Sequence, residues 1–125
     1  LPILYALSHP ERIEDHSLRT FDPVQLDPLT FEEVDKDKFP LFALGIEAGV
    51  LGGTVPTVYN AANEVAVNLF LAEKIGFLEM AEVVAHAMDI VPRRNVEAMS
   101  DVLGADKEAR IAVNNLISSP RAMVS

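Results

Sequence analysis

With 125 residues, half of them apolar, the chain can bury one sizeable hydrophobic core and not two, so one domain plus an appendage is expected. A formal charge of -9, with only 10 Lys and Arg set in no stripe, speaks against nucleic acid or an anionic membrane as partner. The absence of cysteine rules out a disulfide framework, a thiolate nucleophile and a cysteine zinc site, and it fits a cytosolic origin.

In chain order, the sequence starts at Leu1, and Leu1 to Leu7 has neither the basic lead nor the small-residue cleavage site of a signal peptide. A cut N-terminus is the expectation. Residues 9–40 carry Pro10, Pro23, Pro28 and Pro40 and the charged run from Glu32 to Lys38, which predicts an extended arm. Within it, Leu29 to Val34 has the β-favouring residues of one short strand, stable only against a sheet that the chain does not supply.

Helical spacing begins near Phe39-Pro40, with proline in the first turn, and runs through Leu41, Leu44 and Ala48 to Gly52-Gly53. Gly45 and Gly49, four apart, predict close approach of a neighbouring helix. A second helix is expected from Thr54 as N-cap to about Lys74, ahead of Gly76. Its apolar positions, Val55, Val58, Ala62, Ala66 and Leu69 among them, surround most of it, which makes it the core helix. A third is expected over Phe77 to Val91, closed by Pro92, and a last one from Asp106 as N-cap with Ala109, Ala112, Val113 and Leu116 inward. Glu47, Asn60, Asn63, Glu64 and Asn68 interrupt every apolar run before membrane-spanning length.

The pattern therefore predicts a mainly α fold: a small four-helix-bundle-like domain preceded by an extended arm with one short β-strand. Residues 1–35 form the connecting segment and linker arm, 36–121 the C-terminal helical domain, and 122–125 a tail, fraying from about Ser118.

The chain offers little that carries chemistry. His9 and His16 sit in the arm at no metal-ligand spacing, and the Glu82 to His86 pair lies on a polar helix face with Glu79 and Asp89. Glu32 with Glu33, and Asp35 with Asp37, form a solvated charge run with nothing to shift their titration. Ser8-His9 lacks an elbow, and the glycines from Gly45 to Gly53 lack phosphate-loop spacing. No catalytic, cofactor-binding or metal-binding residue is expected in the chain. Asn63 projects into an apolar arc and is expected to be buried, tying its helix to a neighbour by hydrogen bonds. Asn60 and Glu64 lie further out, with Glu64 available for a contact to the arm or to another subunit.

The run Asn60-Ala61-Ala62-Asn63-Glu64, between Gly52-Gly53-Thr54-Val55-Pro56 and Phe70-Leu71, resembles the C-terminal end of the 1-deoxy-D-xylulose 5-phosphate reductoisomerase family. The resemblance covers nearly the whole chain. Leu1 to Leu7 with Pro10-Glu11-Arg12 is similar to the family's segment leaving the catalytic region, Leu26 to Phe31 to its linker strand, and Lys38-Phe39-Pro40-Leu41 to the entry of its helical domain. Lys74-Ile75-Gly76-Phe77, Asp101-Val102-Leu103 and Asp106 with Ala109-Arg110 extend the match, whereas Val34 replaces a proline frequent in the family.

The resemblance implies an enzyme that uses NADPH and a divalent Mg or Mn ion to convert 1-deoxy-D-xylulose 5-phosphate to 2-C-methyl-D-erythritol 4-phosphate, in the cytoplasm of a bacterium or in a plastid. The family's NADPH-binding and catalytic domains lie upstream of the segment matched. This piece is then expected to be inactive alone, to bind neither cofactor, and to brace those domains within a homodimer. The alternative from another class is a free-standing helical interaction module whose arm adds a strand to a partner's sheet. A small hydrolase built on the histidines lacks an assembled base, orienter and oxyanion donor.

Overall fold

The computed structural model describes residues 2–13 and 28–118. Among these it contains five α-helices: α1 Pro2–Ser8, α2 Pro40–Leu51, α3 Val55–Leu71, α4 Glu79–Ile90 and α5 Met99–Ser118. The chain divides into two compact units, Leu1–Glu33 and Val34–Ser125. The fold is mainly helical, and the second unit is bundle-like.

In the first unit the short helix α1 occupies a segment to which the sequence reading assigned no secondary structure. Ser8 closes it twice, its Oγ donating to the Glu11 carbonyl (2.8 Å) and its own carbonyl accepting from the Glu11 N–H (2.9 Å). The strand expected over Leu29 to Val34 is not formed: residues 28–35 carry no pairing, and Leu29 and Phe31 are 67% and 89% exposed. The physical reason is the one the pattern itself supplies, since no sheet edge exists among the described residues to accept it. Leu26, the first residue of the stretch that resembles the family's linker strand, His16, and the tail beyond Ser118 lie outside the described residues.

The second unit begins with a turn built by Asp35. Its Oδ1 accepts from the N–H groups of Asp37 (3.1 Å) and Lys38 (3.0 Å), and its carbonyl accepts from the Phe39 N–H (2.9 Å). Pro40 then opens α2 at a position where its missing N–H costs nothing. Gly52, at φ 66, closes α2 with its N–H on the Ala48 carbonyl. Gly45 behaves as the spacing predicts: a Cβ there would lie 3.2 Å from the Tyr59 hydroxyl, which donates to the Leu41 carbonyl. Gly49 does not, for nothing approaches it within 4 Å.

Helix α3 packs against α2, α4 and α5 and is the centre of the unit. It ends at Leu71, three residues short of the expected Lys74, because Glu73 turns left-handed at φ 57. Two bonds lock that turn, Lys74 N–H to the Leu69 carbonyl and Glu73 N–H to the Phe70 carbonyl, the Schellman pattern of helix termination. α4 is trimmed by a residue or two at each end relative to the expected Phe77 to Val91, Val91 being extended ahead of Pro92.

The largest correction concerns α5, which starts at Met99, seven residues before the expected N-cap Asp106. Asp101 supplies the start signal, its Oδ2 accepting from the N–H groups of Glu97 and Ala98, both at 2.9 Å. Gly104, which precedes the expected N-cap, lies inside the helix.

The core explains how four short helices approach so closely. Ala61, Ala62, Ala66, Ala87, Ala105 and Ala109 are fully buried, and the largest side chains with under 2% exposure are Val58, Val84, Val113 and Thr54. Small residues at the seams let dispersion contacts run along the backbones themselves.

Candidate functional site

Two clips of polar side chains tie the helices of the second unit together. At the start of α3, Thr54 is fully buried, and its side chain does not cap the helix as the sequence suggested. Its N–H donates to the Arg94 carbonyl (2.9 Å) while its Oγ1 accepts from the Arg94 N–H (3.0 Å). This reciprocal pair fixes the loop between α4 and α5 against α3. Gly53, at φ 61, makes the approach feasible, since a Cβ there would run into the Arg94 carbonyl oxygen. The Arg94 guanidinium then forks onto Glu108 of α5, with bonds of 3.0 and 2.9 Å, and that hydrogen-bonded carboxylate raises the Arg94 pKa.

The second clip involves the Asn-Ala-Ala-Asn-Glu run. Arg110 of α5 donates from Nε and Nη2 to Asp106 (2.9 and 3.1 Å) and from Nη2 to Glu64 of α3 (2.6 Å). The bond from Arg110 holds the Asp106 carboxyl below the usual range. Glu64 also accepts from the Asn60 amide at 3.4 Å. Glu64 thus serves a helix-to-helix contact within the unit, where the sequence had offered the arm or a subunit interface. Asn63 is half-buried, less enclosed than its position in the apolar arc suggested.

These groups suit bracing rather than proton transfer. Each carboxylate is charge-paired, Arg110 favours the ionised form of Asp106, and an arginine does not give up its proton near neutrality. The spacing of Asp106 and Arg110 was readable as a helical i, i+4 pair. The Arg94 to Glu108 and Glu64 to Arg110 bridges were not, because they depend on which helices become neighbours.

The remaining candidates are scattered. His9 sits edge-on to the Tyr5 ring, centroids 5.7 Å apart, with Arg12 on that ring at 5.1 Å. His86 is half-buried on α4, and Asp35 is engaged in the turn before α2. Among the described residues no three His, Cys, Asp or Glu side chains are placed to hold a metal ion, and no helix is long and apolar enough to cross a membrane. An open depression of about 430 Å³ lies between Phe70, Lys74, Ile75 and Glu79. The Glu79 carboxylate is used there by the Gly76 N–H rather than left for a ligand.

Comparison with known proteins gives this geometry a context. The family model described as the DXP reductoisomerase C-terminal domain matches residues 1–112. A 1-deoxy-D-xylulose 5-phosphate reductoisomerase of Crocosphaera subtropica is 49% identical over 115 residues, covering 90% of this chain and 29% of its own length. One from Gloeobacter violaceus is 43% identical over 99% of this chain and 31% of its own. Among solved structures, the reductoisomerase from Zymomonas mobilis in complex with NADPH superposes with a TM-score of 0.83 at 38% identity, covering 94% of this chain and 31% of that one. The chain therefore spans somewhat under a third of the length of these relatives.

Proposed function

Because the chain belongs to the DXP reductoisomerase C-terminal domain family, we propose that it is the non-catalytic helical end of an NADPH-dependent 1-deoxy-D-xylulose 5-phosphate reductoisomerase. The whole protein would convert that substrate to 2-C-methyl-D-erythritol 4-phosphate, a precursor for isoprenoids. The observation that carries this reading is the family match over residues 1–112, supported by relatives of the same name at 39–49% identity.

The division of labour follows from what the side chains offer. The whole enzyme would use NADPH and a divalent Mg or Mn ion, but the described residues do not fit either group: no three His, Cys, Asp or Glu side chains among them are placed to hold a metal ion, the acids of the two clips are paired with arginines, and no glycine-rich phosphate cradle is present among them. No chemical step is assigned to this chain. Its work is mechanical, with residues 36–121 as a brace, residues 1–35 as the connecting arm and 122–125 as a tail. Leu29 to Val34, unpaired here, would add a strand to a sheet of the upstream catalytic part, close to the contact of a homodimer. The enzyme would work in the cytoplasm of a bacterium or in a plastid.

The test is turnover. The full-length protein, given 1-deoxy-D-xylulose 5-phosphate, NADPH and Mg or Mn, is expected to consume NADPH and release the branched product, whereas the 125-residue chain is expected to do neither. A full-length protein that folds, binds NADPH and leaves the substrate untouched would overturn the assignment.

A further inference from the structure

Helix α2 carries a single charged residue, Glu47, among its twelve. Its inner face, with Leu41, Leu44 and Ala48, packs toward the core. At 100° per residue, Phe42, Ile46 and Val50 fall within an arc of about 80° on the opposite side. They run some 12 Å along the helix at 1.5 Å per residue. They are 45%, 50% and 82% exposed, and Phe39, at the head of the stripe, is 45% exposed. A helix that is apolar on both faces belongs in an interior, yet the described unit covers only one face of this one. The exposed apolar side chains of α5 differ in setting. Met99, Leu103 and Ile111 of α5 alternate with Asp101, Lys107, Glu108 and Arg110, as on an ordinary solvated helix.

We propose that the Phe42, Ile46 and Val50 face of α2 is the surface by which this domain docks on the catalytic portion of its own polypeptide. The proposal rests on the reading of the chain as a C-terminal domain. In that case more than two thirds of a relative's length precedes it, joined through the arm of residues 1–35, which is followed within five residues by the start of α2 at Pro40. The tether thus delivers the upstream portion to the head of this stripe at high effective concentration. A second copy of the chain is a poorer occupant, since pairing two stripes would bring together two surfaces whose chains each carry a net charge of -9.

The experiment places the photoreactive p-benzoylphenylalanine at position 42 of the full-length protein and, as a control, at position 103. After irradiation, position 42 is expected to cross-link to peptides upstream of Leu1 in the same chain, identified by mass spectrometry in a product of monomer mobility, at several times the yield from position 103. A covalent dimer formed from position 42, no cross-link, or equal yields from the two positions would each overturn the proposal. Turnover of the unirradiated protein is measured alongside. An active enzyme without the cross-link refutes the docking face alone, whereas a folded protein without reductoisomerase activity refutes the function on which it rests.

Discussion

Glu73 holds a conformation that its side chain disfavours. At φ 57 it supplies the left-handed residue of the Schellman turn after α3, a position glycine occupies at far lower steric cost. Glu73→Gly is therefore expected to stabilise the helical unit by roughly 1 kcal/mol, read as a rise in the urea midpoint at unchanged m-value. An unchanged or lower midpoint would mean that the turn is not held as described. Asp101 gives a second test at the same scale. Its carboxylate accepts the N–H groups of Glu97 and Ala98, which lower its folded pKa below the ordinary value of 3.8. A depressed carboxyl pKa contributes stability that is present above the unfolded pKa and lost as pH falls through the folded one. The stability gap between wild type and Asp101→Asn should thus be full at neutral pH, narrow only below the ordinary carboxyl value of 3.8, and close as the pH falls through the lowered folded pKa. Urea midpoints measured from pH 7 downward check this, and a gap independent of pH would refute it.

At the scale of elements, α2 contains its own controlled comparison. Gly49 faces open space inside the helix, so Gly49→Ala should stabilise by about 0.5–1 kcal/mol through helix propensity alone. Gly45→Ala has the same propensity gain, but its Cβ would press on Tyr59 at 3.2 Å and disturb the hydroxyl's bond to the Leu41 carbonyl. It should rank clearly below Gly49→Ala in thermal midpoint, and the reverse order would deny the α2 to α3 approach.

The same elements show what the sequence made legible. Pro40, Gly52, Pro56 and Pro92 are local punctuation, and the helices they bound appeared within a few residues of the expected places. The misses have a common cause: the deciding group was either an unusual residue in a usual role or a partner distant in sequence. Glu73 took a position normally given to glycine, which shortened α3. Asp106 has the right residue type for an N-cap, but the capping is done by Asp101 accepting N–H groups upstream of itself, which lengthened α5. Thr54 has cap chemistry and spends it on Arg94, forty residues away. The resemblance of the Asn-Ala-Ala-Asn-Glu run pointed to the family, while the partner of Glu64 became visible only once α3 and α5 lay side by side.

At the scale of the whole molecule, the brace reading makes a demand on kinetics. Ala109 is fully buried on α5, and α5 packs against both α3 and α4. Ala109→Leu inserts three carbons there and should cost about 1–3 kcal/mol by overpacking. In the full-length enzyme this lowers the temperature at which the helical unit melts. If the domain supports the catalytic part, kcat should fall over that same lowered range, tracking the loss of helix by circular dichroism. Below the transition, the KM for NADPH should match wild type, because no group on this chain is assigned to the cofactor. Turnover that persists unchanged after the helical unit has melted would mean that the upstream domains stand without it, and the domain would then need a different purpose.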